Sequence, residues 1–309
     1  MTASASELHR SALPERLPAR AELTAAPVVR EARPRVARRP APLLGTSLLL
    51  LAALLLGFVG YVAGLSHVVH ARAQTLHYAE LREQLANGTA PTGADLVPVG
   101  APVALLELAG RREVVVEGTT SEVLRDGPGH RRDTVLPGQS GTAVLFGRRA
   151  AFGGPFAEVA ELRRGSEIAV TTAQGRFTYR VTGQRRGGEP APAPLSAGSG
   201  RLTLVTATGM PYLPERVVRV DAELVGTAAP TPARQVTALA AGEPAMSGDR
   251  SRIAVLLGAS LALLLAACGL SWLWVRWGPR QAWVVAVPVL AALAVAVSAE
   301  AVLILPNLL

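Results

Sequence analysis

Arg201-Leu202-Thr203-Leu204-Val205-Thr206-Ala207 is a β-rich run bounded by turn signals. Six more runs of the same kind surround it, at 102–108, 113–117, 142–147, 167–173, 176–184 and 216–225. The last of them partly alternates apolar and polar residues, as a half-buried strand does. Residues 155–163 suit a short helix, and Pro190, Pro192 and Pro194 make 185–200 a long loop. Residues 98–226 therefore read as one mainly β domain, large enough for its own core. A seven- or eight-stranded β-barrel with short helices accommodates this pattern.

The chain as a whole is too apolar for a soluble globule. Hydrophobic residues make up 50% of the 309 positions, and mean hydropathy is +0.31. Residues 43–65 carry no charge, and as a helix of roughly 34 Å they can cross a bilayer. Runs at 253–275 and 282–305 are separated by the polar turn Arg276–Gln281 and read as a transmembrane hairpin. Trp272, Trp274, Trp277 and Trp283 cluster at that turn, where an interfacial aromatic belt belongs. Arg30, Arg33, Arg35, Arg38 and Arg39 precede the first run, so the positive-inside rule puts the N-terminus in the cytoplasm and 98–226 outside. Glu300, near the outer end of the third run, reads as an interfacial carboxylate, with a buried partner site as the alternative.

Residues 1–42 are rich in Ala, Pro and Arg and read as a disordered cytoplasmic tail. Residues 66–88 have helical spacing and end on Asn87-Gly88, a helix-stop signal, giving a juxtamembrane helix and linker over 66–97. His67, His70 and His77 fall near one face of that helix, which reads as solvated or interfacial, because no further metal ligands accompany them. Residues 227–252 read as a Pro/Ala-rich linker. The net charge of +8 comes from arginine alone among the basic residues, and much of the excess sits in the tail. With few aromatics between the arginines, nucleic acid is not an expected partner. Cys268 is the only cysteine, so neither an internal disulfide nor a thiol pair for a metal is expected, and no cofactor is implied.

A more specific pattern runs in order through 98–226. Gly127-Pro128-Gly129-His130 is followed by Asp133-Thr134, Leu136-Pro137-Gly138-Gln139, Val144-Leu145-Phe146-Gly147-Arg148-Arg149, Gly154-Pro155-Phe156, Arg164-Gly165-Ser166-Glu167-Ile168, Phe177-Thr178-Tyr179-Arg180-Val181 and the Thr203–Ala207 strand. This ordered set resembles the sortase domain, especially the actinobacterial class E. Sortases are cysteine transpeptidases of Gram-positive cell surfaces, and the resemblance implies a sortase barrel at the cell wall. It also implies a site built from a histidine after the Gly of the 144–147 strand, a cysteine closing the Thr-Leu-Val-Thr strand, and an arginine nine positions later. Here those positions hold Arg148, Ala207 and Arg216.

A methyl group cannot attack a carbonyl, and a guanidinium neither accepts nor delivers a proton in turnover. Only Arg216 keeps its family identity. The expected groove comprises Arg148, Thr206, Ala207 and Arg216, and Arg148 adds a second positive charge there if it points into it. Thr206 and Thr208 leave the strand on the face opposite Ala207, and a threonine nucleophile needs a base. His130, the one histidine of the domain, and Ser140 read as turn residues. The resulting expectation is a membrane-anchored pseudo-sortase that binds a peptide or surface-protein segment, or a membrane protein partner. Its alternatives are an active transpeptidase or hydrolase with a substitute nucleophile, and a structural membrane component working through the C-terminal hairpin.

Overall fold

The computed structural model describes residues 41–306 apart from 234–235, 240–242, 244–247 and 278. The expected cytoplasmic tail lies outside the described residues up to position 40. The chain divides into Met1–Gly45 and Thr46–Leu309, and the site lies in the second unit.

Helix α1 (Ala41–Gly60) passes through a π-helical segment (Tyr61–Leu65) into α2 (Ser66–Asn87) without a break. Gly88 ends the run in the left-handed region (φ 67°). The amides of Gly88 and Thr89 return to the carbonyls of Leu85 and Gln84, the paired bonds of a Schellman motif. The Asn87-Gly88 stop signal is therefore met. The face that α2 turns to the barrel is not solvated, contrary to expectation. Ser66, His70 and Leu81 are buried and, with Gln74, form one helical stripe. His70 Nε2 lies 3.0 Å from Glu113. Gln74 accepts from Val114 N–H at 2.6 Å and donates to the carbonyls of Val114 and Asp126. The imidazole is buried because a buried carboxylate receives it.

Eight strands close into a barrel: β1 (Pro102–Leu108), β2 (Arg111–Glu117), β3 (Gly129–His130), β4 (Gly141–Phe146), β5 (Glu167–Thr172), β6 (Gly175–Arg186), β7 (Gly200–Met210) and β8 (Leu213–Val225). Their order around the barrel is β1-β2-β3-β4-β7-β8-β6-β5. The mainly β class and all seven sequence-read strands are present. Strand β3, with two residues, is too short to leave a periodic signal. A four-residue helix α3 (Val123–Asp126) also escaped the sequence, whereas the helix expected over 155–163 contracts to one 3-10 turn at Val159–Glu161. Phe156 and Val159 are both fully buried, so a single turn suffices to dock them.

Leu106, Leu145, Ile168, Tyr179, Leu202 and Leu204 fill the barrel. Tyr179 carries the one polar task in that set, as its oxygen accepts the Gly138 amide at 2.6 Å. Burial pushes its phenol up to about 12. Tyr179→Phe keeps the ring and strands the buried amide, so it should cost about 1–3 kcal/mol in denaturant unfolding. A loss within a few tenths of 1 kcal/mol would show that the amide finds another partner.

After β8 the chain straps back onto the barrel. The Ala229 amide donates to Gly138 O at 2.8 Å, and Thr231 Oγ1 to Ser140 O at 2.8 Å. Further on, Glu243 pairs with Arg132 at 3.1 Å. The segment read as a Pro/Ala-rich linker is thus partly bonded to the barrel. Helices α4 (Ile253–Trp277) and α5 (Pro279–Ile304) form an antiparallel hairpin. Its open end is tied by Arg252, which pairs with Glu300 at 3.4 Å and with Glu122, just before α3, at 2.8 Å. Glu300, read as an interfacial carboxylate, is an ion-pair partner of Arg252. Among the described residues, three helices are long and apolar enough to cross a membrane.

Candidate active site

Parallel neighbours β4 and β7 bring two of the three expected positions together. Their register runs from Gly141↔Gly200 to Phe146↔Val205, a constant offset of 59 residues. The Gly147 amide still donates to Val205 O at 3.1 Å. Thr206 Oγ1 donates to Gly147 O at 3.0 Å. The same offset therefore sets Arg148 beside Ala207, just past the end of β4.

Ala207 is 2% exposed and packs with Leu124, Phe146 and Val205. Leu124 comes from α3, so this short helix covers the strand end. Arg148 is completely buried. Its Nε donates to Leu124 O at 3.2 Å and its Nη2 to Ser121 O at 3.3 Å. The guanidinium also lies over the Phe152 ring at 5.1 Å. Nη1 has no hydrogen-bond partner among the described residues. Burial, and then the nearby charge of Arg125, lower the Arg148 guanidinium to about 10, which leaves it protonated at neutral pH. Arg148 therefore clamps the α3 segment to the end of β4, and the condition under which it adds a charge to the groove is not met. Thr206 is fully buried as well, with its hydroxyl committed to Gly147, so it does not reach a ligand either.

Arg216 is exposed on β8. The β7–β8 register pairs it with Thr208, whereas Ala207 faces Val217. Pleating therefore puts Arg216 on the face opposite Ala207. His130 is 2% exposed between Glu117 and the Val135 carbonyl, at 2.7 and 2.9 Å. It takes no part in this constellation.

The open surface lies one step back along the same strands. A groove of about 460 Å³ crosses the outer face of β4, β7 and β8, with Arg131, Arg185, Arg201 and Arg219 around it. Ala191 and Pro192 of the β6–β7 loop form one wall, and Arg201 holds that loop through Ala193 O at 2.9 Å. Arg185 pairs with Asp221, which also accepts from Thr203 at 2.7 Å. Arg131 pairs with Asp133. The Arg219 backbone pairs with Val205 in the ladder, and its side chain has no hydrogen bond or ion pair within the described residues. Sequence reasoning missed these four because their meeting depends on which strands are neighbours. Alternation along β7 (201, 203, 205) would have found them once the β4–β7–β8 adjacency was known.

The sortase-domain family model matches residues 107–225. These residues form a sortase-family domain. Sortase D of Bacillus subtilis (strain 168) is 34% identical over 67 residues, which cover 22% of this chain and 32% of that protein. The chain thus spans about a third of the length of the curated relative it matches. Among solved structures, the sortase D5 transpeptidase of Clostridium perfringens is similar at 23% identity. That match covers 50% of this chain and 99% of the other, with a TM-score of 0.41. Sortase E of Streptomyces avermitilis is similar at 28% identity over 42% of this chain and 92% of the other, with a TM-score of 0.35. The sortase domain here combines a wide arginine-lined groove with a strand end on which the methyl of Ala207 is sealed under Leu124.

Proposed function

We propose that this chain is a membrane-anchored, extracytoplasmic pseudo-sortase that binds a peptide or surface-protein segment in the β4–β7–β8 groove without cleaving it. The observation that carries this proposal is the Arg148–Ala207 pair. At adjacent strand ends, where a thiol and an imidazole would have to cooperate, a buried guanidinium and a buried methyl stand instead. Neither forms an acyl intermediate or protonates a leaving amine. Arg219 supports the binding half, as a cation with no side-chain partner among the described residues, in a groove ringed by arginines, favours a ligand with carboxylates. In the proposed topology the N-terminus is cytoplasmic and all three apolar helices cross the membrane.

The test uses the full chain in lipid nanodiscs with fluorescent peptides of the Leu-X-X-Thr-Gly type, in neutral and acidic versions. Fluorescence polarisation should rise on binding while mass spectrometry finds the peptide intact. Arg219→Ala should weaken the acidic peptide about tenfold, the loss of roughly one charge-assisted hydrogen bond. Cleaved peptide would defeat the proposal and start the search for a substitute nucleophile. Absence of binding would shift the role to the α4–α5 hairpin.

A further inference from the structure

The turn joining β7 to β8 exposes a compact apolar tip. Met210 and Leu213 form the last pair of the ladder and are 63% and 61% exposed. Between them stand Pro211 and Tyr212. Tyr212 takes φ 65°, a left-handed conformation that turns of this kind ordinarily give to glycine. An aromatic side chain is thus held at the tip against its steric preference.

This tip stands beside membrane-type helix. Tyr212 shares an apolar cleft of about 200 Å³ with Phe58, Val59, Val62 and Ala63 of the first helical run and with Val302 and Leu305 at the end of α5. The apolar stretch of the first run ends at Leu65, before Ser66 and His67. At 1.5 Å rise per residue, Phe58 to Ala63 lie about 3–10 Å inside that end. The tip is therefore level with hydrocarbon, close to the bilayer surface. Arg216, exposed three residues further along β8, is about 10 Å back up the strand, at the depth of phosphate groups. Met210, Tyr212 and Leu213 form the tip, and the charged pair Glu215-Arg216 follows only further back along β8, the apolar-then-charged order that a bilayer boundary sets.

We propose that the β7–β8 tip, Met210–Leu213, is a membrane wedge whose partner is the lipid of the outer leaflet, so that the Ala207 end of the barrel is held down on the bilayer. This inference rests on the proposed crossing of the membrane by the first helical run. A segment entering the groove would then approach along the membrane surface, with the arginine-lined part of the groove further from it.

The test is spin-label accessibility in the full chain in lipid vesicles, with Cys268→Ala as background. Single labels go on Met210→Cys and Leu213→Cys. Leu54→Cys serves as the control inside the apolar run, and Ser196→Cys as the control on the β6–β7 loop, at the other end of β7. The wedge predicts that labels at 210 and 213 collide with oxygen several-fold more often than with a water-soluble nickel chelate, as at 54, and that 196 shows the reverse. Tip labels that behave like 196 while 54 stays in lipid would overturn the wedge alone. A label at 54 that behaves like 196 would overturn the crossing itself. Tip labels shielded from both reagents would also overturn the wedge, in favour of a protein partner.

Discussion

Placing a cysteine at position 207 should leave the protein without measurable peptide cleavage, and only the pair Ala207→Cys and Arg148→His should produce it. A thiol at 207 would sit next to a guanidinium, which favours the thiolate. Nucleophilicity alone does not complete the reaction. The departing amine needs a proton, and the Arg148 guanidinium, even lowered to about 10 by burial, holds its protons through turnover at neutral pH. The position is also 2% exposed beneath Leu124, so a reagent or a peptide must first displace α3. Arg148→His alone supplies a base with nothing to activate. In the pair, the constant β4–β7 offset sets imidazole beside thiol, and positioned acid–base catalysis contributes on the order of 10²–10⁴-fold. The pair should therefore stand at least about 10²-fold above either single variant in a peptide-cleavage assay, because groups that act as a unit are not additive. Equal activity of the single and double variants would show that 148 and 207 do not form a catalytic pair in this barrel.

Arg148→His has a second consequence, in the α3 segment. The Ser121 and Leu124 carbonyls lose the Arg148 guanidinium, with Ser121 O keeping the Arg125 amide at 3.1 Å, and the cover over position 207 loosens. Arg252, which joins Glu122 to Glu300, and Gln74, which donates to Asp126 O at 2.8 Å, remain as ties on that segment. The double variant is thus both re-armed and less tightly covered.

The sequence disclosed the barrel and the three apolar helices because each leaves a local signal. Alternation and turn residues mark strands, and uninterrupted apolar runs mark spans. It disclosed positions 148, 207 and 216 through an ordered motif, and the strand pairing puts the first two side by side. The side-chain environments were not legible. Whether Arg148 points outward or under α3 depends on carbonyls 24 and 27 residues away in the chain, which no local pattern encodes. Arg219 escaped because a lone arginine in a half-buried strand is unremarkable until β8 lies beside β7. His70 was misread for a related reason. The helical period gave its stripe correctly, but the buried carboxylate that receives it comes from β2, 43 residues further on.

The largest stability effect should come from Glu117. Its carboxylate is 5% exposed, lies 2.7 Å from His130 Nδ1, and is 3.7 Å from Arg132. Arg132 in turn reaches Glu243 at 3.1 Å and the Val97 carbonyl at 3.3 Å. This one carboxylate joins the end of β2, the Gly-Pro-Gly-His turn and the strap that follows the barrel. Glu117→Leu leaves a buried imidazole and a mostly buried guanidinium facing hydrocarbon, and breaking a buried pair from one side costs about 3–5 kcal/mol. Removing both partners is a different perturbation. In Glu117→Leu/His130→Leu the imidazole no longer needs a partner, and replacing a buried polar pair with apolar groups of similar volume is often close to neutral. The double variant should therefore be more stable than the sum of the single losses predicts, by at least about 1 kcal/mol in a double-mutant cycle. Additive losses would mean that His130 and Glu117 act independently, and that the turn is held by its other contacts, to Val135 O and Thr134. Of the groove arginines only Arg131, between His130 and Arg132 in the chain, adjoins this network, whereas Arg185, Arg201 and Arg219 lie on β6, β7 and β8. The binding measured for the groove should therefore survive Glu117→Leu at temperatures where the barrel stays folded.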